Sequence, residues 1–278
     1  MDLKKASRWF DDILITDGYS DAALYKGQIS AVQDNNADGT ISRRRTLSLD
    51  PDLAIPPRRV IGYLGERWIV GDGLKDGLQG QALRQSFRMQ KVNERYTLCT
   101  PGQAALGTGG ANVYGQKLYL KSLVNSMSDA EYDPFWEITV AQTEEALKGY
   151  FLVSNLGEYY RIRARHDLIE GFRILEADQI DDGCYVEVLL QPATLDPITQ
   201  VRSGSVVATS GVLLDAYQAY EYRTQADPKY TAGDKILILA KISGTPVVGQ
   251  QVSAGGRAFT VFSSVAEIDA WKCLLRPA

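Results

Sequence analysis

The chain is 278 residues long, 45% hydrophobic and 23% charged, with a formal net charge of -4. That balance excludes disordered, collagen-like and coiled-coil classes and gives no global attraction to nucleic acid or anionic membrane. One His (His166) and three widely spaced Cys leave metal sites and imidazole or thiolate dyads without their parts.

In chain order, MDLKKASRWFDDILITDG has no apolar leader-like run. Lys4–Ile13 carries helical spacing, and Ile29–Val32 and Thr40–Ser42 flank a turn, so residues 1–45 are expected to form a helix-and-hairpin arm. Within it, Asp34-Asn35-Asn36-Ala37-Asp38-Gly39 matches the first half of a calcium loop. Arg45 stands where a closing carboxylate belongs, so Asp34, Asn36 and Asp38 form only a weak metal candidate. The bases Arg43-Arg44-Arg45 and Arg58-Arg59 read as solvated strand-edge charges.

From residue 46 the pattern is of strands: TLSL (46–49), RVIGYL (59–64), RWIV (67–70), WEITV (136–140), YFLV (150–153), YYRIRAR (159–165), YVEVLL (185–190), GSVVAT (204–209), KILILA (235–240) and FTVF (259–262). Helical pattern is confined to short pieces: Asp129–Phe135, Glu144–Leu147 and Gly211–Tyr222. The class is mainly β, with small barrel or sandwich units, few short helices and long loops or arms.

Three segments share one grammar of strand, loop, strand, Gly turn and aromatic-led strand. Leu47 to Pro56 and Leu237 to Pro246 both span nine residues; Leu47 to Trp68 spans 21, and Ile138 to Tyr160 and Leu237 to Phe259 span 22. A Gly turn can join two antiparallel strands while the aromatic covers one face. Each copy is expected to close on a strand before a proline: Arg95–Leu98, Tyr185–Leu190 and Trp271–Leu275. The organisation expected is β units at 46–100, 137–192 and 235–278, with a loop or arm insertion at 101–136 and an extended connection at 193–234. The Gly-rich Thr100–Ala111 is expected to be a flexible loop or arm.

Other motifs carry little chemistry. His166-Asp167 lacks a serine in G-x-S-x-G, the nearest fragments being Gly204-Ser205 and Ser210-Gly211. The doublets Asp11-Asp12, Glu144-Glu145 and Asp181-Asp182 read as solvated loop or cap acids, because strand neighbours point to opposite faces. Gly107-Thr108-Gly109-Gly110 lacks the P-loop Lys and its strand–helix context. Cys99, Cys184 and Cys273 are expected to be reduced, buried thiols of a protein made in a cytosol. No catalytic residue and no cofactor is expected.

The C-terminal copy resembles the head-closure or stopper family of tailed bacteriophages. The residues that carry the resemblance are Ala232–Ile238, Pro246–Val252, Gly255–Val261 and the closing Trp271–Pro277. The resemblance implies a small β-barrel in a homo-oligomeric ring at the head–tail junction, with portal or adaptor protein on one side, tail proteins on the other and viral DNA passing through. Its place would be the virion, assembled in the host cytoplasm, with arms and exposed strand edges pairing between subunits. The alternatives are a tail tube, nozzle or baseplate-proximal protein, a β-rich carbohydrate-binding module stacking Tyr and Trp on sugar, and a hydrolase using paired acids.

Overall fold

The structure, a computed structural model, describes residues 13–31, 44–78, 81–121, 135–168, 170–181, 184–192, 194–195, 202–216 and 233–278. It is mainly β, and nearly all of its strands lie in three closed six-stranded barrels.

In the first barrel, β1 (Ile13–Asp17), β2 (Ala23–Ala31), β3 (Arg44–Leu49), β4 (Val60–Tyr63), β5 (Glu66–Leu78) and β6 (Gln81–Lys91) close in the order β1-β2-β3-β6-β5-β4. Alternation sends Leu47 and Leu49 of β3, Trp68 and Val70 of β5, and Phe87 and Met89 of β6 into one core with Ile15. Burying each such side chain contributes about 1.5–3 kcal/mol.

The second barrel contains β7 (Glu94–Cys99), β8 (Ala111–Lys121), β9 (Phe135–Ala141), β10 (Phe151–Ser154), β11 (Tyr159–Asp167) and β12 (Phe172–Ile180). Its order is β7-β8-β9-β12-β11-β10. The third contains β13 (Tyr185–Leu190), β16 (Val207–Asp215), β17 (Lys235–Ala240), β18 (Gln251–Ala254), β19 (Arg257–Ala266) and β20 (Ala270–Pro277), in the order β13-β16-β17-β20-β19-β18. A two-stranded sheet of β14 (Thr194–Leu195) and β15 (Arg202–Ser203) is inserted before β16.

Lettered a to f in chain order, the strands of all three barrels run a-b-c-f-e-d around the barrel. The sequence repeat is the c, d and e part of that plan. Leu47, Ile138 and Leu237 sit on c strands and Trp68, Tyr160 and Phe259 on e strands, and all six side chains are buried. The d–e turn uses left-handed backbone each time, at Leu64-Gly65, at Gly157 and at Gly255-Gly256.

The chain divides into two compact units. The first is Met1–Tyr96, Asn112–Lys148 and Ala164–Asp178; the second is Thr97–Ala111, Gly149–Arg163 and Gln179–Ala278. The first barrel lies whole in the first unit. The third barrel lies whole in the second, together with the helix α1 (Pro101–Leu106). Within that second unit KILILA is buried on both faces of β17. Leu237 and Leu239 point into the barrel, while Ile236, Ile238 and Ala240 pack with Ala104 and Ala105 of α1. A helix over the outer face turns an alternating strand into a continuous apolar run.

Several expectations change. Arg95–Leu98 and Tyr185–Leu190 do not close the first two copies; they lie in β7 and β13, the opening strands of the next barrels. The true closing strands are β6 and β12, whose polar alternation (QALRQSFRMQK, FRILEADQI) hid them. Residues 13–31 form two barrel strands rather than an arm, because β2 pairs with β3, Ile29 opposite Leu47. Thr100–Ala111 is no flexible arm: α1 occupies it and β8 comes after. Val207–Asp215 is a b strand, not part of an extended connection, so Gly211–Asp215 is strand where helix was expected. Glu144–Leu147 is a turn region. Ile13 and Phe135 begin strands, and the rest of the Lys4–Ile13 and Asp129–Phe135 helix candidates lies outside the described residues.

Candidate functional site

Two features organise the surface chemistry: a polar lock in the first unit and an exposed apolar end of the third barrel in the second.

The lock is built on Asp17, which ends β1. Its Oδ1 accepts from Tyr19 N at 3.0 Å and from Ser20 N at 2.8 Å, folding a tight turn that presents Tyr19. Burial works against the ionised Asp17, yet the hydrogen bonds from Ser20 and Tyr19 and the charge of Arg58 hold its pKa below the usual carboxylate value. Tyr19 Oη donates to Glu144 Oε1 at 2.9 Å. The Arg58 guanidinium lies 3.7 Å over the Tyr19 ring and donates to both Glu144 oxygens. Burial, then the neighbouring Glu144 carboxylate, push the Tyr19 phenol upward. Behind the acid, Arg173 donates to Glu144 O and holds Asp167 through Nε at 2.5 Å. Hydrogen bonding from Arg173 keeps the Asp167 carboxyl low.

On the third barrel, a 3₁₀ turn (Lys241–Ser243) follows β17, and Lys241 N donates to Asp269 O at 2.9 Å while its Nζ donates to Ile268 O at 3.1 Å. That tie sets Ile242, 84% exposed, beside Ile268, 70% exposed. Val247, Val248, Phe262 and Val265 of the same barrel are exposed as well. Phe262 is set apart from that tie: the Arg276 guanidinium carbon, at the opposite end of β20 from Ile268, lies 3.6 Å above its ring. Apolar side chains gathered on one module mark an interaction surface more than scattered ones do.

The sequence candidates disperse. Asp34, Asn36 and Asp38 lie outside the described residues, as do Asp11, Asp12, Asp182 and Arg43. His166 pairs with Glu176 at 3.1 Å on an exposed strand end, and Asp167 belongs to Arg173 rather than to the imidazole. Glu144 is not solvated but buried and paired with Arg58; its sequence neighbour Glu145 is exposed. Arg59 pairs with Asp72 at 2.5 Å, and Arg45 lies over the Trp68 ring at 5.3 Å. Gly107 is the left-handed cap of α1, not part of a phosphate cradle. Cys99 and Cys273 are buried free thiols, and Cys184 is half-buried. Lys117 lies over Trp136 at 4.8 Å and Lys241 over Trp271 at 6.0 Å, so the described tryptophans each already carry a cation on one ring face.

Among the described residues, no group of three or more His, Cys, Asp or Glu side chains is placed to hold a metal ion. No described helix is long and apolar enough to cross a membrane. The sequence reading missed Tyr19, and it missed the helix whose Thr100-Pro101-Gly102-Gln103 start is a capping box with Pro in its first turn. No protein-family model, no curated protein and no solved structure matches the chain.

Proposed function

We propose that this protein is a structural component of a tailed-bacteriophage virion that assembles with copies of itself into a ring at the head–tail junction. Portal or adaptor protein lies on one side of the ring and tail proteins on the other, and DNA passes through without sequence reading. In this role no residue is catalytic. The observation that carries the reading is the exposed apolar end of the third barrel, with Ile242, Val248, Val265 and Ile268, on the module whose sequence resembles the head-closure proteins. Three barrels of one strand order in tandem support it, since a repeated module supplies several docking faces in one chain. The net charge of -4 suits a channel in which DNA must slide.

Barrel closure changes how such a ring is held. Closed barrels have few open strand edges, so the contacts fall to apolar side chains and to sheet segments that extend past the closed part. Negative-stain electron microscopy and mass photometry of the purified chain across a wide concentration range test the proposal. The expected result is rings of one closed stoichiometry, and a strict monomer throughout overturns it. Antibody labelling of intact particles then separates a neck position from a tail tube, nozzle or baseplate-proximal one.

A further inference from the structure

Two of the three thiols belong to the apolar cluster that joins α1 to the third barrel, within the second unit. Cys99, 4% exposed, ends β7 and is a buried member of that cluster, and Cys184 and Tyr185, at the head of β13, pack against it. Cys273 is kept apart: it points into the third barrel with Leu237 and Val261, and its Sγ donates to Ser264 Oγ at 3.7 Å.

Local structure delivers both sulfurs to the cluster. The chain leaves β7 through the Thr100 cap directly into α1, and the Cys99 thiol donates to Thr108 O at 3.8 Å, just past the end of that helix. Cys184 N donates to Asp181 O at 3.0 Å, in the turn that carries the chain from β12 into β13. Tyr185 then alternates with Val186, which faces the inside of the barrel, so its ring lies on the outer face; its register partner there is Val212 of the same cluster. The Tyr185 ring centroid is 4.7 Å from that of Tyr159. Burial first, then the charges of Tyr159, Cys99 and Cys184, push the Tyr185 phenol upward, so both thiols stand within electrostatic reach of one hydroxyl. The two sulfurs differ in access. Cys184 is half-buried, while Cys99 is enclosed and burial raises its thiol, so a small oxidant from solvent meets Cys184 first.

We infer that Cys99 and Cys184 form a peroxide-responsive cross-linking site. Hydrogen peroxide transfers one oxygen to the Cys184 sulfur, giving a sulfenic acid and one water. The Cys99 sulfur then attacks that sulfur: the S–S bond forms, the S–O bond breaks, and the hydroxyl leaves with the Cys99 proton as a second water. The two electrons lost by the thiols are those that reduce the peroxide. The bridge closes the long loop from residue 99 to residue 184, which restricts the unfolded chain and fastens the end of β7 to the head of β13. In a reducing compartment both residues stay thiols. The site lies within one chain and does not depend on ring formation.

The test treats the full chain with hydrogen peroxide, alkylates the remaining thiols after unfolding, and maps the cysteines by mass spectrometry without reduction, with thermal melting read alongside. In the expected result Cys99 and Cys184 are found in one linked peptide pair and Cys273 is alkylated. Melting of the linked chain rises by about 5 °C or more, and dithiothreitol reverses the rise. Cys99→Ser, which lacks the second sulfur, lets Cys184 pass on to the sulfinic acid at the same peroxide dose, and Cys184→Ser leaves Cys99 a thiol. An unaltered chain in which Cys184 is over-oxidised while Cys99 is still alkylated overturns the proposal, and so does a Cys184–Cys184 bridge between two copies. A linked chain that melts no higher overturns it as well, since the bond then forms only by distorting the fold.

Discussion

Arg58 grips Glu144 through two nitrogens, Nε to Oε1 at 3.2 Å and Nη2 to Oε1 and Oε2 at 3.0 Å each, although Glu144 is only 6% exposed. The two residues stand 86 positions apart in the chain, Arg58 before β4 and Glu144 after β9, so the pair ties two barrels' elements within the first unit.

A buried carboxylate is costly when its partner is removed, and an exposed cation is not. The Arg58 side chain is 42% exposed against 7% for Glu144, so Arg58→Ala, which takes the cation from the buried acid and leaves it the Tyr19 hydrogen bond, is expected to destabilise more than Glu144→Gln. The respective losses are about 2–3 and about 1–2 kcal/mol, below the fully buried case because water reaches Arg58. Urea titrations of both variants and of the double variant measure this, with a coupling of about 1 kcal/mol expected. Equal losses would mean that solvent already screens the pair.

Thr100 is used twice over. Its hydroxyl donates to Asp269 and accepts from Gln103 N at 3.3 Å, and Asp269 also accepts from Gly102 N at 3.1 Å. Thr100→Val keeps the shape and removes both bonds, so a loss of about 1–2 kcal/mol is expected. The amides of Ala104 and Ala105 should gain hydrogen exchange first, since α1 is held by this cap and by its packing on β17. If their protection is unchanged, packing alone fixes the helix.

Strand content and the repeat were legible because alternation and left-handed Gly turns are local properties, as at Leu47, Trp68 and Gly65. Barrel membership was not. Strand a of each barrel pairs with strand d across two intervening strands, as Thr16 does with Gly62, and nothing at β7 itself says which barrel it opens. The polar lock was illegible for the same reason: Glu144 looks like any loop acid until Arg58 and Tyr19 arrive from distant chain. The helix at Thr100 was legible in its caps but masked by its small, Gly- and Ala-rich turn.

Gly110 and Gly71 are fixed by space rather than by conformation. A Cβ on Gly110 would lie 1.7 Å from Leu98 O, and one on Gly71 would lie 2.2 Å from Glu170 O and 2.9 Å from the Phe172 ring. At Gly65, by contrast, φ is 77° and a Cβ would meet nothing within 4 Å. Gly110→Ala and Gly71→Ala are each expected to cost at least about 2–3 kcal/mol through backbone displacement. Gly65→Ala should cost about 1 kcal/mol, from the left-handed strain alone. Differential scanning calorimetry of the three variants checks the order, and a Gly65→Ala loss as large as the other two would contradict it.

Alkali should weaken this fold from about pH 9 upward. Burial, offset in part by the bond to Ser264, pushes the Cys273 thiol from 9.0 up to about 11, and burial pushes the Tyr25 phenol from 10.0 up to about 12. Tyr185 moves in the same direction, again through burial first. In each case the unfolded chain ionises before the folded one, so the stability is whole below the unfolded value and is lost as pH climbs to the folded one. For Cys273 that loss is on the order of 2 kcal/mol between pH 9 and pH 11. Urea midpoints at pH 8, 9.5 and 10.5 should therefore fall progressively, and Cys273→Ala should fall less steeply over the first interval because its contribution is missing. A Cys273→Ala profile parallel to that of the unaltered chain would place the alkaline weakness on the tyrosines and on Cys99, whose thiol burial also pushes up.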